Sequence, residues 1–91
     1  MISPALYPSR MTVEVLLFGP ERAAVGADRV RVPLADERTC AALRAGLAAA
    51  APALAPALAT ARFAVNSRFV ADSYGIGEGD EVALIGMVSG G

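Results

Sequence analysis

The residues able to do chemistry are few, and most of the usual ones are missing. The chain holds no histidine, no lysine and a single cysteine, Cys40. With one thiol and no imidazole, neither the usual zinc ligand sets nor a Ser-His or Cys-His nucleophile pair can be assembled from it. Without lysine there is no Schiff base and no side-chain amine to act as an acceptor. That leaves carboxylates, arginines, hydroxyls, Cys40 and the chain end. The sequence closes "EVALIGMVSGG", an apolar segment running into Gly90 and Gly91. A frayed terminus is the plain reading, because glycine is permissive and chain ends are loosely held. The chemical reading makes the carboxylate of Gly91 the working group. With an ordinary pKa of about 3.3–3.7 it is an anion at neutral pH and a poor electrophile, so it must be activated first. Gly90 and Gly91 put no side chain in the way of a narrow channel, and an extended tail over residues 87–91 reaches about 17 Å. Ser89 would be a further guide residue. Met87 and Val88 could lie against a partner's channel wall, and Val88 reads equally well as the end of the last strand.

Length and composition bound what could position such a tail. Ninety-one residues make one small domain around a single core. The apolar fraction is 55%, yet alanine supplies much of it and no apolar run approaches the roughly 20 residues of a membrane span. Eight arginines against nine acidic residues leave a net charge of -1, which gives no electrostatic footprint for nucleic acid. The lone cysteine and the lack of a secretory leader pattern fit a soluble protein of a reducing cytoplasm.

The periodicity of the chain predicts its elements. Residues 1–10 carry two prolines and no clear period, and read as a flexible extension, with Met11 a possible natural start. Residues 12–18, "TVEVLLF", alternate at Val13, Val15 and Leu17 and read as a largely buried strand. Gly19-Pro20 stops it, residues 21–25 suit one helical turn, and Gly26 closes that turn. Residues 27–34, "ADRVRVPL", make a second strand with Val30, Val32 and Leu34 inward and Arg29 and Arg31 outward; the short spacing favours an antiparallel hairpin. Thr39 is placed to cap a helix over residues 40–51, with Asp36 and Glu37 nearby. Cys40, Leu43 and Leu47 form its apolar stripe, Arg44 lies on another face, and Pro52 ends it. Gly46 costs that helix about 1 kcal/mol relative to alanine. "PALAPALAT" is an apolar connection offering Leu54 and Leu58 for packing. Strands over residues 62–66 and 68–71 flank a tight turn at Asn66-Ser67, and a glycine-rich loop leads to a last strand over residues 81–86. The order β-β-α-β-β-β describes an α+β two-layer roll.

With that order in place, the chain resembles the small subunit of molybdopterin synthase, within the ubiquitin-like β-grasp sulfur carriers. The likeness covers residues 12–91 and is carried by "LLFGPERAAVG", "TCAALRAGLAAAAPAL", "FAVNSRFV", "GEGDEVALI" and the terminal "VSGG". It implies a β-grasp fold, with a mixed sheet of four or five strands on one main helix, as a body over residues 11–86 and a flexible tail over residues 87–91. It implies that an adenylating enzyme consumes ATP to convert Gly91 to an acyl-adenylate, which a sulfur donor protein turns into a thiocarboxylate. The pterin pocket and its basic catalytic groups would belong to the large subunit of a heterotetramer of two small and two large subunits. This chain would then be a sulfur-carrying subunit, not an enzyme alone, with no bound cofactor. Family members often carry prolines just before the tail where this chain has Gly86 and Met87; glycine would loosen that exit.

Other residues read more plainly. Cys40, on the apolar helix face, is better taken as an inert core thiol than as a sulfur relay. Phe18, Phe63 and Phe69 sit in strand runs, which favours core or half-buried positions over a partner surface. Glu78, Asp80 and Glu81 read as a solvated loop before a contact for the activating enzyme, and Asn66 as a turn support. Rival functions share the Gly-Gly end: a carrier for thiamine or cysteine-type biosynthesis, a ubiquitin-like modifier, or, in a different class, a β-grasp binding module with an incidental tail. An exposed apolar patch awaiting a large subunit is also expected.

Overall fold

The computed structural model describes residues 10–86. The extension expected over residues 1–10 thus falls outside it except for Arg10. Strand β1 (Met11–Leu16) buries Met11, Val13 and Val15 on one face and turns Thr12, Glu14 and Leu16 to the other. After it, Leu17 is buried and its N–H donates to Asp28 O at 2.8 Å, so the expected strand over residues 12–18 leaves the ladder two residues early. Helix α1 (Gly19–Val25) starts with Pro20 in its first turn and stops at Gly26, whose φ of 80° lets its N–H reach Arg22 O at 2.9 Å. Strand β2 (Arg29–Leu34) then pairs antiparallel with β1, Val13 opposite Val32 and Glu14 opposite Arg31. The hairpin and its facing were legible; Arg29 and Arg31 both reach Glu14, at 2.9 and 3.2 Å.

Helix α2 (Cys40–Ala50) crosses the inner face of the sheet. Its cap is the expected one: Thr39 Oγ1 accepts from the Ala42 N–H at 3.2 Å and donates to Glu37 Oε2 at 2.8 Å. Beyond it the alanine-proline connection coils into a 3-10 turn (Pro52–Leu54) and a short helix α3 (Ala55–Leu58), which bury Leu54 and Leu58. Strands β3 (Arg62–Val65) and β4 (Arg68–Val70) form a second hairpin. Its turn needs positive φ at two successive residues, 52° at Asn66 and 70° at Ser67, the geometry that matches the twist of a two-residue hairpin. Asn66 also clasps the next strand, its Oδ1 accepting from the Glu81 N–H at 3.0 Å. Strand β5 (Val82–Ile85) lies parallel to β1 and antiparallel to β3, giving the order β2-β1-β5-β3-β4. One long helix across a five-stranded mixed sheet is the β-grasp arrangement.

The core lies between α2 and the inner face. Leu43, Leu47, Leu54, Phe63, Val82 and Leu84 are almost wholly buried, each worth about 1.5–3 kcal/mol against exposure. Arg44 closes one end. Its guanidinium donates to the carbonyls of Leu58 and Ala61, pairs with both oxygens of Asp72, and lies 5.1 Å from the Phe63 ring. It ties α2, α3 and the β4–β5 loop together, a role its place outside the helix's apolar stripe did not suggest.

Gly46 has a packing reason. A Cβ there would stand 2.5 Å from Val32 Cγ1, so the missing side chain lets α2 settle onto β2. Gly46→Ala gains about 1 kcal/mol of helix propensity and loses about 1–3 kcal/mol to overpacking against a β-branched neighbour. Urea unfolding should show net destabilisation, and Val32→Ala added to Gly46→Ala should reverse the clash; a stabilised Gly46→Ala single variant would contradict this packing.

Acid sensitivity has a named source. The hydrogen bond from Arg44 holds the Asp72 carboxyl below its ordinary value, against a smaller upward push from burial. A depressed carboxyl contributes stability above its unfolded pKa, about 3.9, and loses it as pH falls through the lower folded value. Asp72→Asn should therefore lower the urea midpoint at pH 7 and shrink the loss between about pH 5 and pH 2. An unchanged pH profile would remove this pair from the account.

Candidate functional site

The five residues singled out for chemistry and guidance, Met87, Val88, Ser89, Gly90 and Gly91, lie outside the described residues. What the structure shows is the body that delivers them. Gly86, the last described residue, follows β5, and β5 is the middle strand of the sheet. The chain therefore leaves from the centre of a rigid platform. In the β1–β5 register Leu16 stands opposite Ala83, and beyond it the chain turns into α1, whose Glu21 carboxyl lies against Gly86.

The outer face beside this exit is apolar. Leu16, Ala64, Ala83 and Ile85 are only half-buried there, and Ala64 stands between Ala83 and Phe69 in the ladder. Phe18 and Phe69 are 51% and 52% exposed, whereas Phe63 is 1% exposed. The expectation of core or half-buried phenylalanines thus holds for Phe63 and fails for the other two. The reason is strand alternation: Phe18 and Phe69 are out of step with buried Leu17 and Phe63's partner Val70. Arg62, paired with Ile85, lays its guanidinium 4.7 Å from the centre of the Phe69 ring. On the far side, Glu14 with Arg29 and Arg31 makes a charged border. The result is a platform of aromatic and aliphatic side chains with a polar rim, at the point where the tail begins.

The body offers no competing chemistry among the described residues. Cys40 is fully buried at the start of α2, its backbone N–H bonded to Tyr74 O at 3.0 Å. Burial foremost, then the charge of Asp72, pushes its thiol up, with Arg44 opposing in part. A thiol kept protonated is a poor nucleophile, so the inert reading stands. No group of three or more His, Cys, Asp or Glu residues could hold a metal ion among the described residues. No single helix there is long and apolar enough to cross a membrane. Of the acidic loop, Glu78 and Glu81 are exposed, while Asp80 is occupied locally: it accepts from the Gly77 N–H at 2.8 Å and from Asn66 Nδ2 at 3.1 Å, and these bonds hold its carboxyl below the ordinary range.

A five-stranded mixed sheet on one helix, with the chain end issuing from the central strand, defines a ubiquitin-like β-grasp protein. Residues 15–91 match the ThiS family, and the chain belongs to it. Among solved structures it is similar to SAMP1 from Haloferax volcanii, at 27% identity and a TM-score of 0.76 over 89% of this chain and 100% of that one. It is likewise similar to a chain of the complex of subunits 1 and 2 of molybdopterin-converting factor from Helicobacter pylori, at 26% identity and a TM-score of 0.63 over 89% of this chain and 100% of that one. A putative molybdopterin converting factor subunit 1 from Pyrococcus furiosus, 21% identical with a TM-score of 0.73 over 85% of this chain and 98% of that one, shares the fold. No curated protein sequence shows a significant match. The resemblance read from the sequence is thus borne out at the level of fold and family, a sulfur carrier or ubiquitin-like modifier.

The exposed aromatics carry little of the fold. Phe69→Ser and Phe18→Ser should each cost less than about 1 kcal/mol in urea unfolding, while Phe63→Ala should cost about 3–5 kcal/mol. Equal costs would place Phe18 and Phe69 in the core and remove the platform.

Proposed function

We propose that this chain is the sulfur-carrying small subunit of a molybdopterin synthase, working in the cytoplasm. Its likeness to a chain of the Helicobacter pylori two-subunit complex, together with the apolar platform at the root of the Gly-Gly tail, is the observation that carries the reading. In the first step an activating enzyme joins the Gly91 carboxylate to the adenylyl group of ATP and releases pyrophosphate. In the second, the terminal sulfur of a donor protein's persulfide attacks the acyl carbon and AMP leaves; a thiol then reduces the resulting acyl disulfide, taking the donor's sulfur into a disulfide of its own and leaving a thiocarboxylate. In the third, the tail enters the large subunit, sulfur passes to the pterin precursor, and water restores the carboxylate. ATP and the catalytic side chains belong to the partners, and the small subunit binds no cofactor of its own. Its platform, of exposed aromatic and half-buried aliphatic side chains, has the composition of an interface core, in which a few aromatic anchors buried on association supply most of the affinity.

A second reading has its own support. SAMP1 is named a small archaeal modifier protein, and the similarity to it is as extensive. As a modifier, the same activated Gly91 would acylate an amine of another protein. With no lysine in this sequence, attached copies could not be extended through side chains.

Intact mass after incubation with ATP, a competent activating enzyme and sulfide separates the two. A carrier gains about 16 Da at Gly91, oxygen replaced by sulfur. Deleting Gly90 and Gly91 should abolish that gain while leaving docking to the large subunit through the platform. No gain, with amide-linked conjugates formed on other proteins, would establish the modifier instead.

A further inference from the structure

Gly86 is the last residue before the tail, and the structure gives an unexpected reason for a glycine there. Its φ is outside the left-handed region; among the described glycines only Gly19, Gly26 and Gly79 occupy it. The backbone would accept any residue. Space is what is missing: a Cβ at position 86 would stand 2.7 Å from Glu21 Cδ and 2.7 Å from its Oε1, and closer still to Oε2. The carboxyl group of Glu21 fills the place a side chain would take. Both residues are half-buried. Glu21 belongs to α1, which follows β1, the parallel neighbour of β5. Glycine was expected to loosen this exit; with Glu21 seated on it, the root is packed.

We propose that Glu21 is a positioning residue for the tail, a latch from α1 that fixes the direction in which the chain leaves β5. The inference rests on the carrier reading, since a direction matters only if the end must enter another protein's site. The latch holds one residue, so the distance it spares the tail is small but the angular search is not. Five residues in series amplify an error at their root, and misplacement of about 1 Å at a reacting group can cost as much as a hundredfold in rate. Docking of the body depends on the platform, which Glu21 does not join. Loss of the latch should therefore slow the chemical step and spare affinity.

The test is a double-substitution cycle read in adenylation of the full chain, measured as pyrophosphate release by the activating enzyme. Glu21→Ala removes the carboxyl; Gly86→Ala supplies a Cβ that displaces it, which the flexible end of Glu21 can tolerate without unfolding. Each should lower kcat by about three- to tenfold with KM within about twofold of the wild type. Because both remove the same contact, the double variant should be no slower than the slower single one. Thermal unfolding of all three variants should stay within a few degrees of the wild type. Multiplying effects, unchanged kcat in Glu21→Ala, or a fall that appears in KM alone would each overturn the proposal. Wild-type protein that is never adenylated would overturn the carrier reading itself, a separate result.

Discussion

The last strand of this protein is the middle strand of its sheet, and most of the architecture follows from that. β5 has a hydrogen-bonded neighbour on each side, parallel β1 and antiparallel β3. Val82 and Leu84 are wholly buried against the helix layer. A parallel neighbour cannot be reached by a tight turn, so the chain between β1 and β5 must travel around the domain. It does so through β2, the crossing helix α2, and the β3–β4 hairpin. The sheet is therefore incomplete until the final segment is inserted, and whatever follows β5 emerges from the best-held part of the fold. Gly86 on an edge strand would share the fraying of that edge; here it follows a strand held on both sides.

The two faces of the sheet divide the labour. Alternation along β1, β3 and β5 sends one set of side chains under α2 and leaves the other set free. The inner set is closed by α2 and α3, with Gly46 allowing close approach to Val32 and Arg44 satisfying the carbonyls of Leu58 and Ala61. On the outer set nothing among the described residues plays the part of α2. Leu16, Ala83, Ile85 and Ala64 are only half-buried there, and Arg62 lies over the Phe69 ring. Apolar groups left half in water retain the free energy of burial for association, which is how a domain with one small core can still build a strong contact elsewhere.

What was legible in the sequence was whatever depends on neighbours a few residues away. Thr39 as a cap, Gly26 as a stop, the inward valines of β2 and the Asn66 turn are consequences of local backbone geometry. Each is where its pattern put it. The unread features all join residues distant along the chain. Arg44 and Asp72 are held together by the meeting of α2 with the β4–β5 loop, which no period in the helix encodes. Phe18 and Phe69 belong to runs that are apolar on both faces, so hydropathy could not say which face was covered. Gly86 looked like a loosening element because only its own freedom is visible in the sequence; Glu21, on α1, is what takes up the space.

The same division bears on where reactivity can sit. An acyl group activated at a chain end is exposed to any nucleophile within reach, including the carrier's own side chains. The strongest candidates in proteins are thiolates and unprotonated amines. Here the only thiol is fully buried, and its raised pKa keeps it protonated. Lysine is absent from the sequence. The hydroxyls and guanidiniums that remain are weak nucleophiles without a base to activate them. On the proposed carrier reading, a body built in this way would hold its platform against a partner and present its end without consuming the group carried there. On that reading, chemical inertness of the domain is as much a requirement as the placement of β5.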